Sequence, residues 1–230
     1  MPEAVSRRRA SLAFLLTLTL AAPAAGAAHD LQGTVQLLAK GGKTLDRAAD
    51  VRHAVVAFRP QSPPREPAAG RVYTMATQKK QFVPRVLVVP VGSTVAFPNG
   101  DPILHNVFSV SGENRFDLGL YRQGAGKSWT FERPGLVRVF CNVHHSMVAY
   151  IQVLDTPYFA QPDASGAFTI AGAPAGPGTL EVWHEQAEPL SQPLAVPAEE
   201  TVVARLEVIK PRLPAHLNKL GKPYTQRGDY

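Results

Sequence analysis

The chain has 230 residues, 45% of them apolar and 18% charged, with a formal net charge of +6. That balance excludes a disordered chain and leaves enough material for one large or two small domains. The 21 Pro and 18 Gly, scattered between short Val-, Phe- and Thr-containing stretches, exclude a long-helix architecture and predict an all-β protein.

Residues 1–28 read as a signal peptide. Arg7, Arg8 and Arg9 form a positive start, residues 12–20 an apolar stretch, and Ala25-Gly26-Ala27 a small-residue cleavage signal. Pro23 and the Ala/Gly crowding argue against an uncleaved anchor, so the expectation is an exported, periplasmic protein with no stable membrane insertion. Without the leader, 21 basic side chains face 17 acidic ones. Lys210, Arg212, Lys219, Lys222 and Arg227 crowd the end of the chain, and residues 211–230 read as a solvated basic tail suited to an acidic partner. No nucleic-acid-binding motif accompanies them, so no nucleic acid is expected.

In chain order, residues 31–37 and 54–58 read as two strands, and residues 60–70 as a Pro-rich connector. A denser β pattern fills residues 71–155, with strands over 82–89, 92–97, 106–110, 129–131, 136–140 and 147–154. Short strands at that spacing predict a sandwich or barrel. Farther on, Asp163-Ala164-Ser165-Gly166 is a turn, and strands are expected over 167–170, 180–184 and 202–209.

The single cysteine, Cys141, has no intramolecular disulfide partner. Alone it would read as a small buried hydrophobe. Its neighbours change that reading. In Cys141-Asn142-Val143-His144-His145-Ser146-Met147 a thiolate that ends a strand is followed by an imidazole and then a thioether. His105 follows the loop Asn99-Gly100-Asp101-Pro102-Ile103-Leu104 and precedes an apolar strand. Thiolate and thioether suit Cu(I), imidazole suits both copper oxidation states, and two His, one Cys and a weak axial Met form the trigonal blue-copper arrangement. The expected ligands of one copper are therefore His105, Cys141, His144 and Met147. His53, His184 and His216 lack comparable neighbours and read as structural, as do Trp129 and Trp183. His145 reads as a solvent-facing side chain at the rim, and Phe140 as packing that keeps the metal dry.

Residues 71–155 resemble cupredoxins, at the amicyanin and pseudoazurin end of the plastocyanin-like proteins. The resemblance rests on Phe82-Val83-Pro84, Val91-Gly92-Ser93-Thr94-Val95-Ala96-Phe97-Pro98-Asn99, His105-Asn106-Val107 and Cys141-x-x-His144-x-x-Met147. It implies a Greek-key β-sandwich and a type 1 copper site with those four ligands. It also implies that Asn106 hydrogen-bonds near the cysteine sulfur and braces the two ligand segments. His145 stands where amicyanin-like loops often carry Pro. The whole chain further resembles exported methylamine-utilisation-type proteins, which pair such a block with a small β module.

Residues 156–210 resemble a carboxypeptidase-regulatory-like β-sandwich in Asp163-x-x-Gly166-x-Phe168-x-Ile170, Pro174-x-Gly176 and Leu180-x-Val182. They are short for a complete module, and residues 29–60 resemble its missing first strands. The cupredoxin block would then be an insertion, which closely spaced termini permit. The alternative is that residues 29–60 add strands to the cupredoxin.

The expected function is that of a type 1 (blue) copper protein carrying single electrons to or from a redox partner, such as a dehydrogenase or c-type cytochrome. Electrons would enter through a surface patch of Val143, His144 and Met147. No enzyme is expected, since the chain has no His-x-His for further coppers. Copper storage or delivery is the alternative, although only 3 Met and 7 His are present. A third reading, an N-terminal-His copper oxygenase, needs cleavage after Ala28 to free the amine of His29.

Overall fold

A computed structural model describes residues 28–45, 48–61, 70–209 and 216–224. The signal peptide (apart from Ala28), most of the Pro-rich connector and the rest of the basic tail lie outside the described residues. The chain opens with β1 (Ala28–Leu38), a one-turn helix α1 (Ala48–Val51) and β2 (Val55–Pro60). Ten strands follow: β3 (Val72–Thr74), β4 (Ala76–Gln78), β5 (Gln81–Val83), β6 (Val86–Pro90), β7 (Ser93–Asn99), β8 (His105–Ser109), β9 (Phe116–Tyr121), β10 (Gly124–Phe131), β11 (Gly135–Phe140) and β12 (Val148–Leu154). The last five are β13 (Phe159–Ala160), β14 (Ala167–Pro174), β15 (Gly176–Trp183), β16 (Leu190–Val196) and β17 (Val202–Glu207). No helix among the described residues is long and apolar enough to cross a membrane.

Strands β3–β12 make two sheets. One runs β10-β7-β4-β5 with β3 beside β7, and the other runs β6-β12-β11-β8-β9. Buried side chains alternate along β7, as a strand with one face on a core requires. Val95, Phe97, Val107, Phe131, Val139 and Ile151 fill the space between the sheets. The run 82–89, expected as one strand, is two. β5 pairs with β4 in the first sheet and β6 with β12 in the second. The chain changes sheets at Pro84-Arg85, where proline has no N–H to offer a ladder.

The remaining strands make a second pair of sheets, β14-β1-β17 and β13-β2-β15-β16. Val35 of β1 lies opposite Ala204 of β17, and Val56 of β2 opposite Val182 of β15. Strands on either side of the β3–β12 block thus share sheets and one core, with Leu31, Val56, Phe58, Ile170 and Leu180. The Asp163 turn clasps this module. Asp163 Oδ1 accepts hydrogen bonds from Ser165 N, Ser165 Oγ and Ala167 N. Gly166 then takes φ 88° and comes so close to β1 that an added Cβ would lie 2.3 Å from Val35 O. A strand at 190–196 was not expected, because Pro193 interrupts its pattern. β16 is an edge strand, one of the places in a sheet where proline is tolerated.

A third layer of packing joins the two sandwiches. Val55, Ala57 and Trp183 meet Val86, Phe140, Val148, Tyr150 and Leu154. This contact is why β12 is buried at every position and β8 likewise. At its edge the Glu185 side chain, 1% exposed, lies 2.6 Å from Arg85 Nη2 and 3.0 Å from His53 Nδ1. Burial alone would raise the pKa of Glu185, but His53 and Arg85 bring it down to about 2.

A candidate metal centre

His105 opens β8, and the loop before it is held by two side chains. Asn99 Oδ1 accepts from Thr77 Oγ1 and from Asp101 N, each at 2.9 Å, while Asn99 Nδ2 donates to Ile103 O at 2.8 Å. Asp101 accepts the backbone N–H groups of Lys79 at 2.6 Å and Lys80 at 2.8 Å. Those two residues form the tight β4–β5 turn with φ of 52° and 56°, a left-handed pair that side chains other than glycine rarely adopt. The buried carboxylate thus stabilises a strained turn and reaches His105 Nε2 at 2.9 Å.

Burial opposes the charge on Asp101, but the two backbone N–H groups and His105 hold its carboxyl below the usual range. Burial lowers the pKa of His105, with Asp101 opposing and His144 adding to the effect. The pair at neutral pH is therefore a carboxylate and a neutral imidazole whose Nε2–H donates to it. Its Nδ1 lone pair is left facing Cys141 Sγ at 3.7 Å.

Cys141 follows β11 directly, and its loop closes on itself. Met147 N donates to His144 O at 3.0 Å, and Cys141 N donates to Met147 O at 3.3 Å. His144 Nδ1 lies 3.8 Å from Cys141 Sγ, and the two imidazole centroids are 4.8 Å apart. Among the described residues, one nitrogen each of His105 and His144 and the sulfur of Cys141 lie within 4.8 Å of one another. Three donors bound at about 2 Å to one ion in a trigonal plane would sit about 3.5 Å apart, so these residues fit a copper ion. Met147, 1% exposed, packs in the same apolar cluster as Cys141.

Three expectations about the surroundings are corrected. His144 is only 2% exposed and Met147 is buried, so Val143, His144 and Met147 do not make an exposed patch. The closed loop turns the ligand side chains inward and leaves His145 and Ser146 outside. Asn106 donates its side-chain amide to Asp117 Oδ1 at 2.7 Å rather than to the ligand loop. Phe140 points away from Cys141, because neighbours on a strand face opposite ways, and packs against Phe108 and the second sandwich.

Residues 216–224 are not a free solvated end. His216 stacks on Phe140 with centroids 4.3 Å apart, and Tyr224 Oη donates to Cys141 O at 3.1 Å. Burial pushes the Tyr224 phenol up to about 12, with Cys141 adding to the shift. His184 Nε2 donates to Asp50 O at 3.0 Å and its Nδ1 accepts from Gln186 N at 3.2 Å, within the second sandwich. Sequence reasoning missed Asp101, Asp117, Lys219 and Tyr224 as neighbours of the site. Only Asp101 carried a signal, by lying in the loop that leads to His105.

No family model matches the chain, and no curated protein does. Solved structures similar to it include a purple cupredoxin from Nitrosopumilus maritimus, 23% identical with a TM-score of 0.32, covering 36% of this chain and 99% of the other. A reduced tryptophan-to-tyrosine mutant of amicyanin is 26% identical, with a TM-score of 0.35 and 43% of this chain covered against 98% of its own. A Cu(I) proline-to-glycine mutant of amicyanin is also 26% identical, with a TM-score of 0.34 and the same coverage, 43% and 98%. These neighbours are cupredoxins. The chain itself is nearly all β, and its His105–Cys141–His144 cluster is able to hold a metal.

Proposed function

We propose that this chain is an exported type 1 copper protein that binds one copper through His105, Cys141, His144 and Met147 and carries single electrons in the periplasm. The observation that carries the reading is the convergence of one thiol and two imidazole nitrogens within 4.8 Å in an apolar interior. Copper bound there would supply a one-electron couple. The protein's part is to hold the donors still and dry. Asp101 fixes the ring and tautomer of His105. The closed loop keeps Cys141 and His144 in place, and all three donor residues are at most 2% exposed. A rigid, water-excluding set of donors favours a carrier, because little has to move when the charge changes.

The same burial disfavours storage or delivery, in which an acceptor must reach the metal. No substrate chemistry is assigned, and the protein is read as non-enzymatic. Its partner would be a dehydrogenase or c-type cytochrome with acidic groups near its docking face, approached at a rate that falls as salt rises. The test is the visible spectrum and copper content of the copper-loaded, oxidised protein. One copper per chain with an intense thiolate-to-Cu(II) band, lost in Cys141→Ser, is the expected result. A spectrum with only weak ligand-field absorption overturns the reading.

A further inference from the structure

We propose that residues 216–224 are a built-in clamp on the ligand loop, with Lys219 and Tyr224 as positioning residues for Cys141. The proposal rests on the copper reading for its consequences, but the contacts belong to the chain itself. Two residues of the segment grip the loop at successive positions. Tyr224 Oη donates to Cys141 O at 3.1 Å, and Lys219 N donates to Asn142 Oδ1 at 3.1 Å.

Lys219 also reaches the other ligand segment. Its Nζ lies 2.7 Å from Asp117 Oδ2, and the opposite oxygen of Asp117 accepts from Asn106 Nδ2 at 2.7 Å and from Gly119 N at 2.9 Å. Asn106 is the neighbour of His105. A single path of hydrogen bonds therefore runs from the His105 strand, through Asn106, Asp117 and Lys219, to Asn142 beside Cys141. The brace between the two ligand segments is closed by a residue more than seventy positions downstream of Cys141.

The segment is shaped to make these contacts together. Asn218 Oδ1 accepts Leu220 N and Lys222 N, each at 3.0 Å, and Asn218 N donates to Lys222 O at 2.9 Å. This self-braced turn presents Lys219 towards Asp117 and Asn142 and then returns the chain. His216 anchors its start on Phe140, and Tyr224 packs edge-on to His216 at 5.3 Å and 5.9 Å from the ring of His145. The exposed Lys219–Asp117 pair is a weak anchor alone, so the Tyr224–Cys141 and Lys219–Asn142 hydrogen bonds and the ring contacts supply most of the hold.

The full-length protein tests this with Tyr224→Phe, Tyr224→Ala and Lys219→Gln, each read in two ways. In the copper-free protein, the clamp predicts that Cys141 reacts with a soluble thiol reagent about fivefold faster in Tyr224→Phe, as loss of one hydrogen bond implies. The rate should be about twofold faster in Lys219→Gln, which loses only the exposed pair with Asp117 and keeps its backbone bond to Asn142. Tyr224→Ala should react faster still. In the copper-loaded protein, Tyr224→Ala should admit water and move the reduction potential down, because water favours the more highly charged oxidised site. Tyr224→Phe, which keeps the ring, should move it less. Equal labelling rates in all four proteins overturn the clamp. Faster labelling with an unmoved potential overturns the positioning role. Faster labelling of the variants, with a wild type that shows no thiolate-to-Cu(II) band, leaves the clamp standing and removes the copper reading instead.

Discussion

Asp101 and His105 are joined by a 2.9 Å hydrogen bond, and the same carboxylate anchors the left-handed Lys79-Lys80 turn. One buried side chain thus couples a backbone turn to the ring of a candidate metal ligand. Asp101→Asn keeps the shape but removes the charge that raises the donor strength of the imidazole. Copper affinity should fall by about 10- to 100-fold, and the reduction potential should rise, since a poorer donor disfavours Cu(II). Chelator competition and voltammetry measure both, and unchanged affinity would exclude this role for Asp101.

Met147 is buried beside Cys141, and its backbone closes the loop. Met147→Leu nearly conserves volume, so it should cost less than about 1.5 kcal/mol of stability. The thiolate band should remain, and the potential should rise because an axial donor that favours Cu(II) is gone. A potential equal to that of the wild type would mean that the thioether does not act on the metal.

Glu185 ties the second sandwich to Arg85 of the first and also holds His53 of its own sandwich. Its pKa is depressed from 4.5 to about 2, so its contribution is fully present above pH 4.5 and is lost as pH falls towards 2. The expected loss across that window is about 3 kcal/mol. In Glu185→Gln the neutral-pH stability should drop by a similar amount, and the steep acid dependence over the window should disappear. Denaturant titrations at a series of pH values give the result. An acid dependence identical in the two proteins would remove Glu185 from this role.

Gly33 sits where β1 passes under its neighbours, and an added Cβ would lie 2.5 Å from Val202 O and 2.6 Å from the Phe168 ring. Gly33→Ala should destabilise the protein by about 1–3 kcal/mol through overpacking. The residue lies in the second sandwich, so the visible spectrum of the copper-loaded protein should not change. A wild-type melting temperature would show that β1 can shift to make room.

The ligand loop was legible because its chemistry is local. Cys141, His144 and Met147 lie within one heptapeptide, and a tight turn can bring such neighbours to one point whatever surrounds them. Many strands were legible for a similar reason, since alternation or an apolar run is a property of consecutive residues. β16 was not, because Pro193 breaks the pattern, and its place at a sheet edge, which accommodates the proline, is set by the fold.

By itself, then, the sequence determined the all-β character, the donor types and the spacing of the loop that carries three of them. Tertiary structure decided everything that depends on residues far apart in the chain. It set β1 and β2 beside strands more than a hundred residues later, buried both faces of β12, turned His144 inward and brought Lys219 and Tyr224 onto the loop of Cys141. The physical reason is that local pattern reports which groups want burial or partners. Which partners they find is fixed only when sheets stack and distant segments compete for the same hydrogen bonds.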